Sequence, residues 1–446
     1  MSSLLSNTFS FKKKFFWKIL WFAIACSLLG YFLYEVIQTI KCKKYFDAGY
    51  YQEAYPGACT KEMDPFMYYM LKGYKSYKNP SARFDARFYE KIYMATHRGD
   101  LNTTVRNPLR HYVEEGIARK AITHPLLVKK AIPLKKPTYR LAMAALFRDE
   151  ARFLKEWIEY HLMLGVEHFY LTNHLSKDNY MEVLQPYIDR GLVTLAHETR
   201  ECTHIFRSYK TIQDETYQKA LKRAEKEKVE WLLILDIDEF LVPPKNCKDL
   251  QTLMQCYEPY AAVAFHWKTF GTSNVEKVGS DELLTEKLTR CASDDSGVRV
   301  QSRKLLAAAY MQNQGIKCAM RPRYVTTMKS AHFPLLKPGF LIVNSEKTYI
   351  KPFHYVYPIG KGPRVHHYYM RDKDFLNNVK IPRALKFTKG HNWGRFLKNL
   401  SKQEEMLNAK EDRAIFSFLP QLRRRMRLGE VEKKSLHVQH NENKVF

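Results

Sequence analysis

Two carboxylates, Asp236 and Asp238, follow the apolar run Trp231-Leu232-Leu233-Ile234-Leu235, with Glu239 immediately after them. In an extended strand, side chains two apart share a face, so the spacing predicts both aspartates on one side with Ile237 anchored in the core behind them. Two like charges at the end of a buried strand need a counter-charge. A divalent cation such as Mn²⁺ or Mg²⁺ supplies it, because such ions take carboxylate oxygens and keep positions free for the phosphates of a nucleotide-linked donor. The ion would also stabilise a departing diphosphate. Acidic pairs at strand ends serve equally as caps or loop solvators, so the surrounding elements must decide.

Those elements alternate. Tyr139 to Phe147 is a run of strand length, apolar but for Arg140, that ends in Arg148-Asp149-Glu150. From Ala151, the residues Phe153, Leu154, Trp157, Ile158, His161, Leu162 and Leu164 recur at helical spacing until Gly165 stops the helix. Val166 to Leu171 restores a strand that ends at Thr172-Asn173, and a second helix (Tyr180 to Tyr187) and strand (Leu192 to Ala196) follow. A polar, helix-prone stretch, Ser208 to Lys228, then feeds the strand that carries Asp236. Such alternation predicts an α/β domain with a mostly parallel sheet, whose ligands collect at the carboxyl ends of the strands. Arg148, Glu150, Asn173, Asp236 and Asp238 would share that edge. Trp267 and Phe270, after the strand-like Ala262 to Phe265, have faces suited to stacking on sugar rings, and a core aromatic pair is the competing reading. Lys317 and Arg321 can neutralise donor phosphates or an acidic acceptor, or can be solvated surface.

The order Arg148-Asp149-Glu150, Trp157-Ile158-Glu159-Tyr160-His161-x-x-x-Gly165-Val166-x-x-Phe169-Tyr170, Asn173 and Asp236-Ile237-Asp238-Glu239-Phe240 resembles glycosyltransferase family 92 and its bacterial relatives. The resemblance continues through Trp267-x-x-Phe270-Gly271-Thr272-Ser273, Leu283-x-x-Glu286-Lys287-x-x-Arg290, Lys317-x-x-x-Arg321-Pro322, His332 and His366-His367-Tyr368-Tyr369, so it covers residues 140–380. It implies a GT-A fold, a UDP-sugar donor with galactose favoured, a divalent metal, a glycan acceptor and inversion at the anomeric carbon. It also implies Arg148 to Glu150 at the nucleotide end of the first strand, Asn173 near the base or ribose, and Asp236 and Asp238 at the metal. The first block reads Arg-Asp-Glu here instead of the more usual Lys-Asn-Glu, which adds an acid beside the nucleotide; UDP remains the first choice. An inverting displacement needs a carboxylate to take the acceptor's proton, and Glu286 is the candidate, with Glu282 and Asp281 as substitutes. An ordinary salt bridge from Glu286 to Lys287 or Arg290 is the alternative. Folds of this kind often return a C-terminal histidine to the metal; alternation lets one of His366 and His367 point inward, and His367 is favoured because Tyr369 shares its face. A retaining transferase, or a non-catalytic glycan- or lipid-binding membrane protein on the same scaffold, is the rival reading.

The formal net charge of +27 implies attraction to phosphates, anionic headgroups or acidic glycans. No zinc-finger, RNA-recognition or helix-turn-helix pattern accompanies its densest run, Arg423 to Arg427, so nucleic acid is not expected as a partner. The eight cysteines form no CxxC pair and read as thiols, or in an oxidising lumen as a few disulfides. Lys12, Lys13 and Lys14 precede an uncharged apolar stretch, Ile19 to Tyr34, and Lys18 can snorkel to lengthen it. An uncleaved anchor in a lipid bilayer is expected, because the apolar run continues past the faint cleavage-like stretch Ala23-Ile24-Ala25-Cys26. Lysines flank both ends, so orientation is poorly specified.

Phe46-Asp47-x-x-Tyr50-Tyr51 and Asp64-Pro65-Phe66-x-x-Tyr69-x-x-x-Gly73 return as Phe84-Asp85-x-x-Phe88-Tyr89 and Asn107-Pro108-Leu109-x-x-Tyr112-x-x-x-Gly116, offset by 38 and 43 residues. Asp or Asn before Pro caps a helix and Gly ends it, so two small helical hairpins are expected. They resemble repeats that accompany bacterial surface-polysaccharide glycosyltransferases. The expected organisation is a basic tail (1–14), an anchor (15–40), a helical repeat region (41–130), the GT-A domain (138–380) and a basic helical extension (381–446). The repeats favour a bacterial inner membrane; the sequons at Asn102 and Asn399 would matter only in a Golgi-type lumen.

Overall fold

The computed structural model describes residues 2–58, 63–94, 106–201, 210–294, 313–351, 361–388 and 400–427. The sequon asparagines, Asn102 and Asn399, and two cysteines, Cys59 and Cys202, lie outside them. The chain divides into two compact units, one of Met1–Thr96 with Asp100–Val128 and one of His97–Gly99 with Lys129–Phe446.

The first unit opens with a helix, α1 (Ser2–Lys43), whose segment Trp21–Lys43 has a mean hydropathy of 1.5 and is long and apolar enough to cross a membrane. Four short helices follow, α2 (Ala48–Ala54), α3 (Pro65–Leu71), α4 (Ala86–Tyr89) and α5 (Pro108–His111). Asp64 accepts from the N–H groups of Phe66 and Met67, and Asn107 from those of Leu109 and Arg110, with proline in the first turn of both helices. The two repeat glycines have a packing reason: a Cβ at Gly73 would collide with the Tyr51 hydroxyl, and one at Gly116 with that of Tyr89. Tyr51, Tyr69, Phe84 and Tyr89 form the small aromatic core of this unit.

In the second unit, β1 (Tyr139–Phe147) is followed by α6 (Ala151–Met163), β2 (His168–His174), α7 (Tyr180–Asp189), β3 (Val193–Glu198), α8 (Lys210–Lys226) and β4 (Val229–Ile234). β1 lies between β2 and β4 and is parallel to both, and β3 extends the parallel array beyond β2. Gly165 takes φ +89° and ends α6 with Val166 N donating to His161 O and Gly165 N to Leu162 O, the bond pair of a Schellman cap. Alternation along β1 divides the interior. Met143, Ala145 and Phe147 join Trp157 of α6 in one core, while Ala142, Ala144 and Leu146 join Ile212, Tyr217 and Leu221 of α8 in the other.

The sheet continues past β4 in the spatial order β8 (Ile316–Met320), β6 (Ala262–Thr269), β11 (Ile342–Asn344) and β12 (Tyr349–Ile350). β8 runs antiparallel to both β4 and β6, so the sheet is mixed, with its largest block parallel. β13 (Arg364–His367) pairs with the end of β6 and with β5 (Glu239–Val242). The expected boundary at residue 380 cuts through this unit. Beyond it, β14 (Lys410–Glu411) pairs with β7 (Arg290–Cys291), and Ile415, Leu419 and Leu422 belong to the core that contains α6. Burial of these apolar residues makes 400–427 part of the second unit instead of a separate extension.

Candidate active site

The Asp-x-Asp segment does not extend the strand, as its apolar run predicts. β4 ends at Ile234, and Asp236 to Glu239 form a turn closed by Glu239 N donating to Asp236 O at 3.0 Å. The Glu239 side chain reaches back and accepts from Asp236 N at 2.8 Å, which satisfies an N–H that would otherwise continue the sheet ladder. The two aspartates therefore meet different partners.

Asp236 meets a lysine. Lys317 Nζ stands 2.8 Å from Asp236 Oδ2 and 3.1 Å from Glu239 Oε2, and Tyr217 donates to Asp236 Oδ1. Lys317 is fully buried at the start of β8, whose antiparallel course brings it to the carboxyl end of β4. Burial by itself would lower the Lys317 pKa, but Asp236 and Glu239 more than offset it and hold the ammonium charged. Burial pushes the Glu239 carboxyl well up, with Lys317 opposing.

Asp238 meets a histidine and a second lysine. Its Oδ2 lies 3.7 Å from His367 Nε2 and 3.7 Å from Lys380 Nζ. Burial would raise its pKa; Arg371, His367 and Lys380 outweigh that and hold it well below the usual carboxylate range. β13 sets this geometry, placing His367 opposite both Glu239 and Thr269, while His366 faces the other way toward Asp412. Arg371 ties the turn to the first βα loop, donating to Ile237 O at 3.3 Å and to Glu150 Oε2 at 2.7 Å. In that loop Asp149 has a left-handed φ of +52°, Arg148 Nε lies 3.7 Å from Asp149, and Arg383 approaches the same carboxylate at 3.8 Å. Asn173 accepts from Ser176 N at 3.0 Å, and Ser176 Oγ accepts from Asp149 N at 2.9 Å. The carboxyl ends of β1, β2 and β4 are thus laced into one surface, where Arg148, Glu150, Asn173, Asp236, Asp238, Lys317 and His367 gather.

Three expected residues lie elsewhere or inside, and a fourth, Glu286, is held in an ion pair. Arg321 is at the opposite end of β8; it is fully buried, pairs with Glu230 at the start of β4, donates to Tyr260 O and Glu258 O, and covers Trp231 at 4.3 Å. Four residues along a strand separate it from Lys317 by about 13 Å, so Arg321 closes the far edge of the sheet and reaches no donor phosphate. Phe270 is fully buried between His366 and Tyr368, with ring centroids at 4.8 and 4.6 Å. Trp267 is buried against His367 at 4.5 Å, and its indole leaves no room for a side chain at Gly315. These are core aromatics behind the site. Glu286, on α10 (Leu284–Lys287), pairs with Arg423. Conversely, Arg371, Lys380 and Arg383 were not singled out in the sequence; Lys380 ends a π-helical turn and Arg383 lies in the following α12 (Ile381–Thr388), with no spacing signal to mark either.

Among the described residues no three His, Cys, Asp or Glu side chains gather closely enough to hold a metal. Two do come near. Ligands sharing one divalent ion stand about 3 to 3.4 Å apart, and Asp238 Oδ2 and His367 Nε2 are at 3.7 Å, with His367 Nδ1 buried and unpartnered. That pair fits two positions of such an ion; Asp236 is committed to Lys317.

The model of glycosyltransferase family 92 matches residues 139–408, which spans the sheet and every element of this surface. The chain belongs to that family. A family 92 protein of Oryza sativa subsp. japonica is 27% identical over 166 residues, 36% of this chain and 26% of the rice protein. One from Ricinus communis is 24% identical over 230 residues, 50% of this chain and 36% of the castor-bean protein. The chain thus matches about a quarter to a third of the length of these family 92 relatives. Among solved structures, S. aureus TarS 1-349 aligns with a TM-score of 0.26 and 12% identity, over 42% of this chain and 48% of that TarS 1-349 chain. The complex of TarS 1-349 with UDP-GlcNAc aligns with a TM-score of 0.26 and 10% identity, over 49% of this chain and 60% of that TarS 1-349 chain.

Proposed function

We propose that this family 92 protein is a membrane-anchored, inverting glycosyltransferase of GT-A type that moves a hexose, galactose first, from a UDP-sugar to a glycan acceptor. The observation that carries the reading is Asp238 at the carboxyl edge of a largely parallel sheet, faced by His367, Lys380 and Arg371. Asp238 and His367 would hold a divalent cation, Mn²⁺ or Mg²⁺, with Asp236 beside them. Bound there, the cation would neutralise the diphosphate and ease its departure. Lys380 and Arg383 reach the same edge and would orient phosphate oxygens, while Asn173 and the Arg148 to Glu150 loop hold the nucleoside. Glu286 is the proposed base, and an acceptor would have to displace Arg423 from it. α1 is the anchor, in a bacterial inner membrane or a Golgi-type membrane.

Lys317 favours a second reading. Its ammonium already supplies Asp236 and Glu239 with a counter-charge, so lysines and Arg371 could stabilise the leaving diphosphate without an ion. Donor hydrolysis across UDP-, GDP- and CMP-sugars, with Mn²⁺ or EDTA and beside Asp238→Asn, separates the two. Turnover of one donor that needs both metal and Asp238 supports the first reading; turnover indifferent to EDTA supports the second. No binding or turnover with any donor would remove both.

A further inference from the structure

The surroundings of α1 change along its length. Phe22 is 73% exposed, Phe32 62% and Leu33 51%, an apolar surface with no protein over it among the described residues. Directly after Leu33 the helix is gripped. Tyr34 donates to Glu114 at 3.5 Å, and Glu35 takes a two-pronged bond from Arg110 at 2.5 and 2.9 Å. Arg110 also donates to Glu114 at 2.7 Å, and Arg106 meets the same carboxylate at 2.7 Å. Cys42, one residue from the end of α1, is fully buried in the aromatic core of the repeats.

Glu35 of α1 and three charged side chains of the repeats thus meet at one level, and hydrocarbon cannot hold them there: ionised groups that keep part of their water in this network would lose it. An α-helix rises about 1.5 Å per residue, so a bilayer core of about 30 Å takes about 20 residues. Counting back from Tyr34, that length ends at Phe15, directly after Lys12-Lys13-Lys14. With Lys18 snorkelling toward the same end, the lysine cluster and the network at Tyr34–Glu35 stand one hydrocarbon thickness apart.

We infer that the polar boundary of the bilayer lies at Tyr34–Glu35, and that the helical repeats are a collar seated on the lipid headgroups, gripping the last turns of α1. The inference rests on α1 being a membrane anchor, and it moves the inner limit of the span from residue 40 to residue 34. The exposed apolar face from Trp21 to Leu33 belongs to lipid; the exposed face at Ile40 belongs to water.

The test uses the full chain in membranes opened on both sides and a membrane-impermeant maleimide, with labelled peptides read by mass spectrometry. Native Cys26, exposed on α1, should stay unlabelled until detergent is added, whereas Ile40→Cys should label at once. Protection of both until detergent would overturn the collar while leaving the anchor intact; labelling of both without detergent, with release by alkaline carbonate, would remove the anchor reading itself. In the same membranes, Arg110→Glu should raise tryptic cleavage within residues 44–125 about tenfold, and adding Glu35→Arg should restore resistance. Unchanged cleavage in Arg110→Glu would overturn the grip.

Discussion

Asp236 and Asp238 are chemically identical, yet the fold gives them opposite company: one is neutralised by a buried lysine, the other lies between a histidine and a cluster of cations. Asp238→Asn removes the group facing His367 and should cut donor turnover on the order of a hundredfold or more, measured by nucleotide release below the unfolding transition that thermal melting gives for the variant. Lys317→Met leaves Glu239, fully buried, without its counter-charge. Breaking a buried pair from one side costs about 3–5 kcal/mol, so the urea midpoint should fall sharply, and an unchanged midpoint would refute the pairing. His161 carries a pH signature. Burial lowers its pKa from 6.5 to about 3, with the bond to Trp157 O opposing. Between those values the unfolded chain binds a proton that the folded chain refuses, so its contribution is complete above pH 6.5 and is lost as pH falls toward 3. Stability should decline by about 1.4 kcal/mol per pH unit from this group in that window, and urea unfolding of His161→Leu should show a slope shallower by about one proton.

At the scale of elements, single side chains register one piece of backbone against another. Buried Glu156 of α6 accepts from Leu284 N at 2.8 Å and Thr285 N at 3.0 Å, and so starts α10, which carries Glu286, from a separate helix. In the repeats, glycine does the comparable work: Gly116 lies against the Tyr89 hydroxyl, which bonds His111 Nδ1 at 2.9 Å. Gly116→Ala should push that ring aside and destabilise the unit by about 1–3 kcal/mol, visible as earlier cleavage of peptides from residues 84–121 in a urea series. The first strand was legible to the residue, Tyr139 to Phe147, because a run apolar but for Arg140 and ended by charge has one reading beside a helical period. The turn at Asp236 was not: Trp231 to Leu235 looks like a strand that carries on, and only the Glu239 side chain bonding back to Asp236 N ends it.

Across the whole molecule, among the described residues, two large cores and a small cluster of Ala292, Met370, Leu376 and Leu407 lie within the second unit, and a separate aromatic core within the first. A fragment beginning at Lys129 should therefore fold and unfold cooperatively on its own and release nucleotide at a rate comparable to the full chain. Failure to fold would show that the repeats complete the second unit's core.

The amino-acid order by itself determined the alternating strands and helices, the repeat with its Asp and Asn caps, the apolar α1, and the Asp-x-Asp segment at the end of a buried strand, because each is written in local periodicity or in residues whose backbone preferences act within a few positions. Only the tertiary structure decided which charge answers which. Lys317 comes to Asp236 because β8 runs antiparallel to β4, and the same course carries Arg321 to the opposite edge. His367 and Lys380 reach Asp238 from more than a hundred residues away because β13 pairs with both β5 and the end of β6. Spacing along a chain has no knowledge of strand order, and strand order is what brings distant charges together.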